Sequence, residues 1–154
     1  MASGSDHGCN SIILWDTDNW SPKLKLEGHK AAVTCILDLG DGVHIASGSY
    51  DKKINVYSLL QGKVAYNLPT NKSSVTGIVL SSRGTKMVSC GLDNSLNVWQ
   101  IVRNKQSLVE TMFLERIIQN NTMICSFVGS VLQDNLMYIG TKDGKIKLIN
   151  IEKG

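Results

Sequence analysis

The 154-residue chain is expected to be all-β, assembled from short antiparallel strands in repeated units. Two features lead there: an internal repeat of 42 residues, and short apolar runs that alternate with period two. A third removes the main rival. Two prolines and the lack of any long 3.6-residue periodicity disfavour a helical repeat.

A shift of 42 places Val33 and Thr34 on Val75 and Thr76, Ile36 on Ile78, Ser47 on Ser89, and Asp51 on Asp93. The same shift sets Ile54 on Leu96 and Asn55, Val56 and Tyr57 on Asn97, Val98 and Trp99. Taken backwards, it brings Ile12, Leu14 and Trp15 onto Ile54, Val56 and Tyr57. Beyond the third unit the shift becomes 50, with Asp93 on Asp143, Leu96 on Ile146 and Val98 on Leu148. The additional residues fall between Trp99 and Cys125, which predicts a longer outer hairpin around Val102 to Arg116. A single domain over 1–154 follows, with approximate repeats at 1–28, 29–70, 71–120 and 121–154.

Each unit reads as strands a (inner) to d (outer). In the second, Val33, Ile36 and Leu37 make one apolar run and Ile45 and Ala46 lead another. Ile54, Val56 and Tyr57 form a third, and Val64, Tyr66 and Leu68 alternate. Gly and Asp punctuate between them, at Gly40-Asp41-Gly42, Ser49-Tyr50-Asp51-Lys52 and Gln61-Gly62. Four short strands in roughly 40–45 residues is the period of a β-propeller blade.

Composition excludes several classes. Hydrophobic residues make up 42% and charged residues 19%, an ordinary globular balance. The longest apolar runs, such as Ile12 to Trp15, fall far short of the ~20 residues that cross a bilayer as a helix, so no membrane insertion is expected. The first residues lack the basic and apolar regions of a secretory signal. The net charge of +3 comes from scattered residues, which does not indicate a nucleic-acid partner. Cys9, Cys35, Cys90 and Cys125 have no metal-ligand or redox spacing. The expected setting is intracellular and reducing: the cytoplasm, with the nucleus also compatible.

At this point the residues resemble the WD-repeat family. Gly28-His29, Ala46-Ser47-Gly48-Ser49, Asp51, Ile54 and Val56-Tyr57-Ser58 follow its pattern. So do Ala2-Ser3-Gly4-Ser5-Asp6 and Ile13-Leu14-Trp15-Asp16, which holds the Trp-Asp dipeptide itself. The resemblance covers nearly the whole chain. It implies incomplete-ring propeller blades of four antiparallel strands, each held by a hydrogen-bonded tetrad. That tetrad joins the His before strand a, a Ser/Thr of strand b, the turn Asp and the Trp of strand c. Carried over, the second unit offers His29, Ser47, Asp51 and Tyr57, with a phenol standing in for the indole. The third offers Asn71, Ser89, Asp93 and Trp99. The fourth keeps only Asp143, since Asn121, Ile139 and Ile149 fill the other places, so apolar packing is expected to hold it.

By this reading the chain opens in strand b of one blade and closes after strand c of another, around Ile149 to Ile151. It is expected to be the C-terminal part of a larger ring, joined by further blades in cis or through association of copies.

No catalytic residue, cofactor or metal site is expected. His29 is absorbed by the tetrad, and His7 with Cys9 lacks a second ligand pair. Asp16-Thr17-Asp18-Asn19 lacks the later Gly and Glu of a calcium loop and reads as a c–d turn. The turn aspartates 51, 93 and 143 sit in different blades, too far apart to act as a pair. What remains is a surface. Lys30 and Lys72 fall in d–a loops, while Lys52, Lys53, Lys142 and Lys145 fall in or beside b–c turns, on one face. Tyr50 and Leu92 are the apolar anchors beside them. The expected function is a non-catalytic protein-interaction scaffold, docking an acidic or phosphorylated segment of a partner. The alternatives are substrate recognition within a multi-domain enzyme such as a ubiquitin ligase, or a structural subunit of a large intracellular assembly.

Overall fold

The computed structural model describes residues 1–4, 8–68, 72–122, 124–129 and 135–151. Its strands form four antiparallel sheets that follow one another along the chain. The first holds β1 (Ala2–Gly4), β2 (Ile12–Trp15) and β3 (Pro22–Leu26). The second holds β4 (Val33–Asp38), β5 (His44–Ser49), β6 (Ile54–Ser58) and β7 (Lys63–Leu68). The third holds β8 (Val75–Leu80), β9 (Lys86–Gly91), β10 (Ser95–Arg103) and β11 (Val109–Gln119). The fourth holds β12 (Ile124–Gly129), β13 (Leu136–Thr141) and β14 (Ile146–Asn150). Each sheet is a meander in sequence order, and no ring closes among the described residues. This is an incomplete propeller.

The repeat extends to backbone irregularities. The register skips Lys23, Ala65 and Glu115 on the outer strands, each opposite the step before Trp15, Tyr57 or Trp99. On the inner strands it skips Thr34, Thr76 and Cys125. Such bulges sharpen the local twist, which a blade needs to follow its neighbour. The β5–β6, β9–β10 and β13–β14 turns likewise place Lys52, Asn94 and Gly144 in the left-handed region, at φ of 71°, 63° and 77°. Each N–H there bonds back to the carbonyl three residues earlier. Asn and Gly tolerate that conformation readily, whereas a lysine pays about 1–2 kcal/mol.

Packing runs face to face. Ala46, Ile54 and Val56 of the second sheet are buried against Val75, Met87 and Trp99 of the third. Val88, Leu96 and Val98 of the third are buried against Ile124, Met137 and Ile139 of the fourth. Ile12 and Leu26 of the first meet Ile45 and Tyr57 of the second. Each of the larger aliphatic side chains among these contributes about 1.5–3 kcal/mol on leaving water. On the fourth sheet the matching positions, Tyr138, Ile146 and Leu148, are 44%, 80% and 54% exposed.

The inserted residues lengthen the β10–β11 hairpin, as expected, and its tip clasps the preceding blade. Arg103 Nη2 donates to the Leu39 carbonyl at 2.7 Å and the Gly84 carbonyl at 2.9 Å. Asp41 Oδ2 accepts from the Val109 N–H at 2.9 Å and lies 2.7 Å from His44 Nδ1. Its Oδ1 accepts from the N–H groups of Val43 and His44. Burial alone would raise the Asp41 pKa, but these donors outweigh it and hold it at about 2. Burial, with the Asp41 charge nearby, pushes the Tyr66 phenol up to about 12.

Candidate protein-docking face

The d–a loops and b–c turns are locked together before they present anything to solvent. In the second blade, His29 Nδ1 lies 2.9 Å from Asp51 Oδ2 and its Nε2 lies 2.7 Å from Ser47 Oγ. A carboxylate can only accept, so Nδ1 carries the proton toward Asp51; in the neutral ring Nε2 accepts from the Ser47 hydroxyl. Asp51 also accepts from the N–H of Lys30 at 2.8 Å and of Lys53 at 2.9 Å. Burial opposes its charge, yet the Lys30, His29 and Lys53 donors win and keep its pKa below the ordinary value.

Tyr57 fills the place of the expected Trp, fully buried, with Asn55 Nδ2 donating to its hydroxyl at 3.2 Å. Burial pushes the phenol up, and hydrogen bonding with Asn55 and Ser47 partly offsets that. Gly28 has φ +146°, and a Cβ there would lie 2.8 Å from Val64 Cγ2 and 3.3 Å from the Tyr57 hydroxyl. The Gly-His pair is therefore a steric requirement: the glycine lets the loop lie on the ring while the histidine reaches in.

The other blades keep parts of this arrangement. Trp99 Nε1 donates to Ser89 Oγ at 3.0 Å, both buried. Asp93 accepts from the Ser95 hydroxyl at 2.7 Å and from the Ser95 N–H, and its own N–H donates to Ser73 Oγ at 2.9 Å. Burial would raise its pKa, but the Ser95 and Ser73 donors leave it lowered. Asn71 lies outside the described residues. In the first blade Trp15 Nε1 donates to Ser3 Oγ at 2.8 Å. The 42-residue shift sets Ser5, not Ser3, on Ser47, so the repeat alone does not point to this pair. In the fourth blade Ile139 is fully buried where Ser47 and Ser89 stand, and Ile149 packs half-buried beside it. Asp143 is not left idle, because Thr141 Oγ1 donates to it and lowers its pKa.

The loops of neighbouring blades then join. The Ser74 hydroxyl donates to the Tyr50 carbonyl, Leu92 N–H donates to the Ser74 carbonyl, and Tyr50 N–H donates to the Ala32 carbonyl. Thr34 Oγ1 reaches across to the Val75 carbonyl at 2.7 Å. Between them lies a cleft of about 270 Å³ lined by Ala32, Val33, Thr34, Tyr50 and Thr76. Tyr50 is 54% exposed and Leu92 48%. Lys30, Lys52, Lys72, Lys142 and Lys145 are exposed, and Lys53 is half-buried. Antiparallel meanders put all of these loops at the same end of their sheets. Lys145 Nζ sits 3.3 Å from Asp143, so its charge is partly matched locally.

Little here supports chemistry of another kind. Among the described residues no three His, Cys, Asp or Glu side chains converge as metal ligands. His7 lies outside the described residues and Cys9 is exposed. Asp16-Thr17-Asp18-Asn19 forms the β2–β3 turn, where Asp16 and Asn19 side chains accept from the Asp18 and Ser21 N–H groups. No described helix is long and apolar enough to cross a membrane.

Comparison with known proteins agrees with this architecture. The family profile "WD domain, G-beta repeat" matches residues 20–58 and 62–100. Each matched window runs from the outer strand of one sheet through three strands of the next, so the sequence unit stitches adjacent blades together. Protein ROOT INITIATION DEFECTIVE 3 of Arabidopsis thaliana is 30% identical over 88% of this chain and 32% of its own length. Protein SPA1-RELATED 3 of the same plant is 26% identical over 95% of this chain and 17% of its own. Small ribosomal subunit protein RACK1y of Oryza sativa subsp. japonica is 21% identical over 90% of this chain and 40% of its own. The chain thus spans well under half the length of these relatives. With repeated sheets, the Ser-Trp hydrogen bonds and profile matches over half its residues, the chain belongs to the WD-repeat family.

Proposed function

We propose that this chain is a non-catalytic scaffold that docks an acidic segment of a partner protein on its d–a and b–c loop face. WD repeats generally mediate protein–protein interaction. The observation that carries the finer reading is the exposed pair Tyr50 and Leu92 beside a cleft, within a rim of six lysines against three turn aspartates. Those aspartates are already engaged by backbone N–H groups, His29, Ser95 and Thr141. Lys52 adds an argument of its own. It holds the strained left-handed position that Asn94 and Gly144 fill in the other blades, a retained cost that points to use. A phosphorylated segment would add charge that the same lysines could meet.

The exposed Tyr138, Ile146 and Leu148 seat a further blade, in cis or from another copy, because their counterparts are buried at both preceding junctions. The free thiols of Cys9, Cys35 and Cys90 support a reducing, cytoplasmic setting. A role as a structural subunit of an assembly is the second reading, favoured by the name of the RACK1y relative as a small ribosomal subunit protein.

The docking reading is tested by fluorescence anisotropy with a labelled oligoglutamate peptide and its phosphoserine-containing counterpart. Reversing Lys52→Glu, Lys53→Glu and Lys72→Glu together should weaken capture by tenfold or more, about 1.4 kcal/mol. Lys52→Gly should weaken it less while stabilising the turn. Unchanged affinity in the triple variant rejects the acidic-segment reading.

A further inference from the structure

Among the described residues three blades have an outer strand, and these strands differ in how their free edges are protected. β3 carries Pro22 with exposed Lys23 and Lys25, and β7 exposes Lys63, Ala65 and Asn67. Proline and lysine on an edge are the usual means of preventing strand addition. β11 carries neither. It runs eleven residues where β3 has five and β7 six, and it pairs on one side only, with β10. It also exposes Phe113 at 51%, Leu114 at 39% and Ile117 at 53%.

The occupant can be read from the strand's own pattern. The bulge at Glu115 sets Phe113 opposite Gln100 and Arg116 opposite Val98, which returns Arg116 to the face that carries Phe113. Glu110, which the register skips as a second bulge, lies three residues before Phe113, and Arg116 lies three after. An antiparallel copy of β11 with Phe113 on the two-fold axis would therefore meet Glu110 with Arg116 of the second copy, twice over. Glu115 is already held by Lys86 Nζ at 3.1 Å, so it does not compete for Arg116. Among the described residues Glu110 and Arg116 make no ion pair within this chain.

The geometry points to β11 as a self-recognition edge: two copies of this chain pair β11 to β11 antiparallel, centred on Phe113, with reciprocal Glu110–Arg116 pairs. Backbone hydrogen bonds between the edges supply the attraction, and the aromatic pair and the charges fix the register. One strand edge buries less than the ~1,200 Å² of a standard stable interface, so the dimer forms and dissociates in the micromolar range or above.

Sedimentation velocity on the full chain, from micromolar to near-millimolar concentration, tests this. The expected result is a concentration-dependent dimer that Phe113→Lys abolishes. Arg116→Glu should weaken it roughly tenfold, since two cross-strand pairs become repulsive. Glu110→Arg combined with Arg116→Glu should restore it, because the charges again match across the two-fold. Ile146→Lys with Leu148→Lys, which alters only the fourth sheet, should leave that rescue pattern intact. A monomer at every concentration overturns the assignment. So does association that survives Phe113→Lys, that follows Ile146 and Leu148 instead, or that the double charge swap fails to restore.

Discussion

The second and fourth blades share one backbone plan and fill it in opposite ways. At the middle of strand b the second blade has Ser47, bonded to His29, which is bonded in turn to Asp51; the fourth has Ile139, buried in hydrocarbon. At the matching place in strand c, the second blade buries Tyr57 completely, while the fourth half-buries Ile149. The pairing registers nonetheless agree: Ser47 faces Ile36 and Asn55, and Ile139 faces Phe127 and Lys147. Strand pairing and face-to-face packing thus suffice to make a blade. The His29–Ser47–Asp51 network does something more local. It holds the d–a loop and the b–c turn to each other, and these are the segments that carry Lys30, Tyr50 and Lys52.

Exchanging the two solutions should produce the largest effect. Ser47→Ile leaves His29 Nε2 buried without its partner and forces branched bulk beside Tyr57. The expected loss is about 3–5 kcal/mol, as when one member of a buried polar network is removed. Ile139→Ser in the fourth blade should cost about 2–4 kcal/mol by a different route, a cavity plus a hydroxyl with no histidine to meet it. Urea unfolding of each variant measures both. If Ser47→Ile proved nearly neutral, the network would be ornamental and the two blades equivalent.

Much of this comparison was legible in the sequence, for a physical reason. Short strands on a fixed period leave apolar residues in register, and the departures at Ile139 and Ile149 stand out against that period. His29, Ser47 and Asp51 were implied by the resemblance to the WD-repeat pattern, and the structure brings them within hydrogen-bonding distance. What escaped has no repeat behind it. Arg103 reaches Leu39 across 64 residues and Val109 reaches Asp41 across 68, from an inserted hairpin to the β4–β5 loop of the preceding blade. The Thr141 bond to Asp143 escaped for the opposite reason: it arises where the repeat had decayed, two residues along the strand from the place of the expected serine. The free edge of β11, which lacks proline and lysine, needed the strand order before it had meaning.

A smaller effect separates the turn aspartates. Asp51 accepts three hydrogen bonds with little solvent access to its side chain. Asp51→Asn keeps the shape but removes the charge and one acceptor, so a loss of about 1.5–3 kcal/mol is expected. Asp143 is solvent-facing and bonded to Thr141 and Lys145, so Asp143→Asn should leave the unfolding midpoint in place. Equal losses would mean that the fourth blade depends on its turn charge as much as the second does.

The last effect concerns how the second and third blades are joined, and it is read with acid. Asp41 titrates at about 2 in the folded chain against an ordinary 3.8, so its charged form is favoured by folding. A depressed carboxylate stabilises above its unfolded pKa and loses that contribution as pH falls through the folded value. The stability attached to Asp41 is therefore complete above about pH 4 and drains away toward about pH 2. Asp51, Asp93 and Asp143 are lowered as well, so the whole chain weakens in that range. The informative quantity is the difference between wild type and Asp41→Asn. That gap should be widest near neutral pH, where Val109 and His44 keep an ionised partner, and should close as acid protonates Asp41 in the wild type. A gap constant with pH would mean that the hairpin is held by Arg103 on the Leu39 and Gly84 carbonyls, with the Asp41 charge incidental to the joint.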